Sequence, residues 1–327
     1  MKKLGIILLA VVLAVTCMSV MLACEQEKNE VTINVVMPDG TPVLAVAKML
    51  NNYKQEEIDG VVYKINYEIV KGASEVGAKI SSGASDIAIA PTNLVAKLYK
   101  KGIDIGLISS NVYGALYIIG NVEVTEISQL ADKKVVCTGQ GGTPDYIMQY
   151  VFTSNGLTVS EMNITYVGDG SEALAKLGNG LADIAVVGEP VASMAESKNK
   201  ANILFNLQDE YEKITGDKGY PQASTIAKRD LINNHAKFLD EFLDEMEDNL
   251  EYIASAQAKD ITAAIQAAGS AVTYPNTASI VNSNLKVVRA LAAKEGIVEY
   301  FGVMDDFDAT FYGGSLPVDA FYANILD

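Results

Sequence analysis

The chain has 327 residues, a formal net charge of −16 at neutral pH, one histidine, three cysteines and no tryptophan. So acidic a protein repels phosphate backbones, which argues against nucleic-acid binding. A single histidine and so few cysteines supply neither a His/Cys metal cluster nor a well-placed Ser-His-Asp set, and the length predicts two lobes rather than one core.

The N-terminus reads as a targeting segment. Lys2 and Lys3 precede an apolar run over residues 4–22, then Ala23 and Cys24, then the polar stretch 25–30. The run is long enough to suggest a membrane span. The small residue before Cys24 and the abrupt turn to charge favour cleavage. Met21-Leu22-Ala23-Cys24 resembles a bacterial lipobox, so residues 1–23 are expected to be a signal peptide, Cys24 the lipidated new N-terminus and residues 24–30 a tether. An uncleaved anchor would leave the domain on the same side of the membrane. Cys17 falls in the leader, so Cys137 has no partner for a disulfide. In the strand-like run Lys134-Val135-Val136-Cys137-Thr138 it reads as a buried, inert thiol.

The rest of the chain is organised by an internal repeat. An apolar strand over residues 31–37 leads into Asp39-Gly40-Thr41-Pro42 and a helical segment, 43–53. Next, Ser74, Glu75, Ala78, Lys79, Gly83, Asp86, Ile87 and Ala88 mark a helix followed by a buried strand and the loop Pro91-Thr92-Asn93. The series begins again at Lys134–Thr138, Gly141-Gly142-Thr143-Pro144-Asp145 and a helix over 145–155. Ser171, Glu172, Ala175, Lys176, Gly180, Asp183, Ile184 and Ala185 repeat the second block, before the loop Gly188-Glu189-Pro190. In each copy Ser is expected to cap the helix and Gly to end it.

Strands alternating with helices predict an α/β architecture, with parallel sheets covered on both faces. Crossings between lobes are expected near 112–119 and 220–227, giving one lobe from 31–115 plus 225–327 and another from 116–224. The C-terminal part reads as helices over 238–256, 261–268, 277–295 and 317–325. The first has an acidic, solvated face over an apolar stripe at helical spacing. His235 opens that helix and is expected at the surface.

Ligands in such sheets bind beyond the carboxyl ends of the strands, where all the loops just named lie. Gly-Thr-Pro suits a helix start, with Thr as cap, Pro in the first turn and Gly allowing close approach. Two helix N-termini would offer free N–H groups to an anion. Asp39 and Glu189 beside them would suit a cationic or hydrogen-bond-donating group, or would be solvated; Asp145 would complement the helix dipole. Tyr113, Tyr146 and Tyr220 are candidates for ring stacking, each with a core or hinge role as the alternative.

As a set, the lipobox, Met37-Pro38-Asp39-Gly40-Thr41-Pro42, Asp86 to Thr92, Gly139 to Asp145, Gly188-Glu189-Pro190 and Tyr312-Gly313-Gly314-Ser315-Leu316-Pro317 resemble the type II solute-binding proteins of ABC importers. They are most similar to the branch for nitrate, sulfonate, taurine or the pyrimidine precursor of thiamine. The resemblance implies a two-lobed periplasmic-binding-protein type II fold with each sheet mostly parallel, closing by a hinge around a small polar or anionic organic solute. It places Asp39, Gly40, Thr41, Pro42, Pro91, Thr92, Asn93, Gly141, Gly142, Thr143 and Glu189 at the cleft; Tyr113 and Asp145 join them as ligand-binding candidates on their position near predicted cleft segments. It implies a monomer anchored outside the cell by its lipid, with an ABC permease as partner, no catalytic residue, no metal and no cofactor. Enzymes on the same fold would need an acid or base at the cleft, which Asp39 or Glu189 could supply. A ligand-sensing lipoprotein without a transporter is the third reading.

Overall fold

The computed structural model describes residues 29–216 and 219–325. The leader, Cys24 and most of the tether lie outside the described residues. Twelve strands follow in order: β1 Asn29–Pro38, β2 Gln55–Ile58, β3 Val61–Val70, β4 Ile87–Pro91, β5 Ile105–Tyr113, β6 Leu116–Gly120, β7 Lys134–Thr138, β8 Asn163–Val167, β9 Ile184–Gly188, β10 Asn202–Asn206, β11 Pro221–Lys228 and β12 Leu285–Arg289. They form two sheets. One has seven strands in the order β12-β5-β11-β4-β1-β3-β2, and the other five in the order β10-β6-β9-β7-β8. The chain leaves the first sheet after Tyr113, enters the second at Leu116, leaves it after Asn206 and returns at Pro221.

Each sheet has a parallel core of three strands, β4-β1-β3 and β9-β7-β8. The flanking strands are all antiparallel, so the parallel character is confined to the βαβ cores. Both faces are covered. In β1, Ile33, Val35 and Met37 face one cluster and Val36 another. In β9, Ile184 and Val186 face the cluster that spans both sheets, while Ala185 and Val187 face outward onto helices. Cys137 is fully buried in the shared cluster, and burial pushes its thiol up.

The repeat is structural, and its aspartates show why. Asp86 accepts from the Asn34 N–H at 2.8 Å and returns its own N–H to the Asn34 carbonyl at 2.8 Å. Asp183 does the same with Lys134 at 2.8 and 2.8 Å. Each thus locks the start of its strand to the neighbouring parallel strand. Gly83 and Gly180 end the preceding helices with φ of +73° and +68°, the left-handed conformation in which Gly is favoured. Ser74 and Ser171 do not cap. The helices are Ala73–Ser81, with Gly72 at its N-cap, and Gly170–Gly178, capped by Asp169, whose side chain accepts from the Glu172 N–H.

Three helical expectations are corrected. Residues 43–53 hold two short helices, Thr41–Leu44 and Met49–Asn52. Buried Asn249 stands at the break, accepting from the Lys48 N–H at 2.8 Å and donating to the Leu44 carbonyl at 3.0 Å. It replaces intrahelical partners that an unbroken helix would supply. Residues 277–295 divide into helix Thr277–Val281, strand β12 and helix Ala290–Asp308. Asn284 turns the chain at φ +45°, and the β-branched Val287 and Val288 suit the edge of the first sheet. Residues 317–325 hold only the 3₁₀ turn Asp319–Phe321; beyond it the chain runs alongside β5, where the Ala323 N–H donates to the Leu107 carbonyl.

The acidic helix is Ala236–Ser255, with Phe238, Leu239, Phe242, Leu243, Met246 and Ile253 buried. Arg289 pairs with its Asp240 and Asp244 at 2.5 and 2.6 Å. His235 is half-buried, its Nδ1 2.9 Å from the Tyr63 hydroxyl.

Candidate functional site between the lobes

The two Gly-Thr-Pro motifs come to the same seam. Neither threonine caps its own helix. Gly40 and Gly142 take the N-cap positions and Thr41 and Thr143 open the helices, with no side-chain cap bond at either end. Each hydroxyl is thereby free to reach across. The Thr41 hydroxyl, on the first lobe, donates to the Glu189 carbonyl on the second at 2.8 Å. The Thr143 hydroxyl, on the second lobe, donates to Asn93 Oδ1 on the first over a longer 3.4 Å. Both threonines are buried. The Tyr117 hydroxyl adds a third crossing, donating to the Asn282 carbonyl at 3.0 Å.

The structure brings Thr92 and Asn93 to this seam. Thr92 Oγ1 lies 2.9 Å from Ser224 Oγ, and Asn93 Nδ2 donates to the Phe311 carbonyl at 3.2 Å. Pro91 closes β4 as the residue before them. Tyr146 packs edge-on against Phe311 at 4.7 Å, with the Lys97 ammonium 5.7 Å over its ring. Tyr220 is buried against Tyr211 and Tyr300. Tyr113 lines a depression of about 280 Å³ with Gly219, Pro221 and Lys286; the Lys286 ammonium stands 4.8 Å over its ring.

The acids divide by role. The Asp145 carboxylate accepts from the Gly141 N–H at 2.8 Å, from Gln149 at 2.6 Å and from the Tyr166 hydroxyl at 2.6 Å. It folds the loop before its helix and brings negative charge to that N-terminus. Asp39 accepts from Ser270 Oγ at 2.6 Å and the Ala271 N–H at 2.8 Å, tying the C-terminal part of the first lobe to the first motif. With only four residues in the Thr41–Leu44 helix, the expectation of two opposed helix dipoles loses one member.

Glu189 is the unusual group. It is 3% exposed, and its carboxylate accepts from the Ser193 N–H at 3.2 Å and the Ser193 hydroxyl at 2.7 Å. Burial raises its pKa above the ordinary carboxylate value, against the lowering effect of Ser193 and Asn282; Glu196 adds to the rise. No cation enters this balance. A raised value means the folded protein holds this proton more tightly than the unfolded chain does. The contribution of Glu189 to stability is therefore greatest below the ordinary range and falls as pH rises through the window from 4.5 to the raised value. Glu189→Gln lacks this dependence. Urea titrations at several pH values should show wild type losing stability relative to the variant as pH rises through that window; parallel curves would refute a buried, perturbed Glu189.

Two side chains that no motif announced complete the seam. Tyr274 and Tyr300 are almost fully buried, and their hydroxyls have no well-formed hydrogen bond. The Tyr274 hydroxyl lies beside Thr41 and Ser283, in the field of Glu189 and Asp39. The Tyr300 hydroxyl lies beside Thr143. A buried tyrosine hydroxyl thus stands at each repeated threonine. Single tyrosines on separate elements leave no sequence pattern; only the fold carries them to the motifs.

Two α/β lobes joined by two crossings, meeting along a polar seam, define a periplasmic-binding-protein type II fold. The chain belongs to the NMT1/THI5-like family, which it matches over residues 38–259. Among solved structures it is similar to an ABC transporter protein from Parabacteroides distasonis, with 22% identity, a TM-score of 0.73 and coverage of 90% of this chain and 99% of that one. It is also similar to the periplasmic aliphatic sulphonate-binding protein SsuA from Escherichia coli, at 14% identity and TM-score 0.66 over 84% and 86% of the two chains. The periplasmic nitrate-binding protein NrtA from Synechocystis follows at 14% identity and TM-score 0.55 over 72% and 65%. At these identities the likeness is one of fold. No curated protein sequence matches the chain.

Proposed function

We propose that this protein is the extracytoplasmic solute-binding component of an ABC importer. It captures a small polar organic solute between its lobes and presents it to a permease. The observation that carries the reading is the pair of reciprocal threonine bonds across the seam. A repeat that places one Gly-Thr-Pro on each lobe, each bonded to the other lobe, suits a device that closes on its ligand. Family membership and the folds of the sulphonate- and nitrate-binding proteins support it. Asp39, Gly40, Thr41, Pro42, Pro91, Thr92, Asn93, Gly141, Gly142, Thr143 and Glu189 are proposed to line the site, with Tyr274 and Tyr300 added. The protein binds rather than transforms its solute, acts as a monomer, and is held at the membrane through lipidated Cys24. Lobe 1 is proposed as 31–115 plus 225–327, and lobe 2 as 116–224.

The test is a thermal-shift screen of small polar solutes, confirmed by titration calorimetry. A solute at about 100 times its Kd adds roughly 2.7 kcal/mol of stability. Thr41→Val and Thr143→Val should each weaken the hit by about 1–3 kcal/mol and leave the fold intact. Affinity unchanged in both variants would place the ligand elsewhere. Cys24→Ala should abolish incorporation of a labelled fatty acid into the chain, since the cysteine sulfur is the proposed attachment point; continued labelling would place the lipid elsewhere.

A further inference from the structure

Resting on the solute-binding reading, we infer that Gln208 biases the hinge open. Its side-chain carbonyl lacks a hydrogen-bond donor while the lobes are bonded together across the seam, so the solute-free protein favours the open arrangement and a solute must offset that bias. Gln208 lies in the first turn of the helix Leu207–Thr215, with its amide lodged between the two crossings. Its Oε1 rests against Gly114 of the first crossing and its Nε2 against Gly219 of the second; methyl groups added there would stand 1.7 and 3.1 Å from these atoms. The residue is only 6% exposed.

Glu212, one turn further along the helix, fixes which way the amide points, because its carboxylate accepts from Nε2. Turned over, the amide would set its carbonyl against that carboxylate, acceptor to acceptor. Oε1 therefore faces Gly114, and among the described residues no donor reaches it. Gly114 offers it only C–H hydrogens, which are weak partners. A buried carbonyl without a donor is uncommon in a folded protein, and it is costly because water has been stripped from it and nothing replaces the lost bond. Gln222, at the same hinge, provides the contrast: its Oε1 accepts from the Ala115 N–H at 2.9 Å and so joins the two crossings. Gly219 also lines the depression of about 280 Å³ beside Tyr113 and Pro221. When the lobes swing apart the crossings absorb the change in backbone dihedrals, and this depression is the path by which water reaches the amide. The cost is relieved in the open arrangement and present in the closed one. A group that penalises one of two arrangements shifts their populations, and it weakens the apparent affinity of any solute that needs the penalised one.

The test reads lobe separation directly. Ser74 and Ser171 are exposed, one on each lobe, and Cys137 is buried. Spin labels on Ser74→Cys and Ser171→Cys in the detergent-purified full chain therefore report an inter-lobe distance by electron double resonance, with the singly substituted chains as background. Gln208→Met keeps the length of the side chain and removes the carbonyl. Gln208→Ala removes the amide altogether, which guards against a poor fit of the thioether. Without solute, both should raise the ratio of the short-distance to the long-distance population by about tenfold. Gln222→Met, which deletes a satisfied carbonyl at the same hinge, should not. Sodium nitrate, ethanesulfonate and 4-aminopyrimidine serve as solute probes in calorimetry. Any that binds wild type should bind Gln208→Met about tenfold more tightly, although Gln208 lies outside the cleft. Unchanged or longer distances in both Gln208 variants overturn the inference, as does equal closing by Gln222→Met or a probe held equally by wild type and Gln208→Met. The two readings fail separately. A chain that binds none of the probes and yields no small molecule in a mass-spectrometric extract loses the solute-binding reading, while the distances still decide whether Gln208 holds the hinge open.

Discussion

Phe311→Ala is expected to cost about 3–5 kcal/mol of stability, the usual range for truncating a fully buried aromatic side chain, and to loosen the lobes from each other. Phe311 is wholly buried. Its ring meets Tyr300 at 5.3 Å and Phe301 at 6.3 Å within the first lobe, and Tyr146 of the second lobe edge-on at 4.7 Å. Its carbonyl also accepts from Asn93, the residue that Thr143 reaches from the second lobe. Truncation would leave a cavity at the junction of both lobes and remove the surface on which Tyr146 rests. Urea unfolding reads the first effect, and small-angle scattering the second as a larger radius of gyration. A loss below 1 kcal/mol with unchanged scattering would show that the ring is peripheral to the seam.

Gly114→Ala should be destabilising by about 3 kcal/mol, combining a left-handed backbone with overpacking. Gly114 lies in the first crossing with φ of +63°. A methyl group there would stand 1.7 Å from Gln208 Oε1 and 2.9 Å from Gln208 Cβ. The amide could swing away, but the Cβ is fixed to the Leu207–Thr215 helix of the second crossing. Relief would require the two crossings to separate. Thermal unfolding of this variant beside Gly60→Ala is the informative pair. Gly60 has φ of +80° and nothing near its missing methyl, so it reports backbone strain alone. Equal losses would show that the crossings do not press on each other.

The βαβ cores were legible because the same physics was written twice. Gly83 and Gly180, Asp86 and Asp183, and the two Gly-Thr-Pro motifs each solve one local problem at equivalent places. Parts set by distant partners were not legible. Asn249 breaks the expected helix at Lys48 from two hundred positions away. β12 looks helical by composition, and is a strand because β5 offers it an edge. Thr41 and Thr143 looked like caps, because only the folded seam supplies Glu189 and Asn93 as better acceptors. Tyr274 and Tyr300 belong to no motif at all.

The strand order carries a consequence for how the chain is made. β5 forms its ladders with β11 and β12, and β11 is also what joins it to β4. Both partners are translated after every strand of the second sheet, which is built from one continuous stretch, β6 to β10. On the ribosome the second sheet can be complete while β4 and β5 still present bare edges. Open edges of apolar strands invite pairing with other chains. The interval between synthesis of Tyr113 and of Lys228 is the one in which a holding chaperone has most to protect.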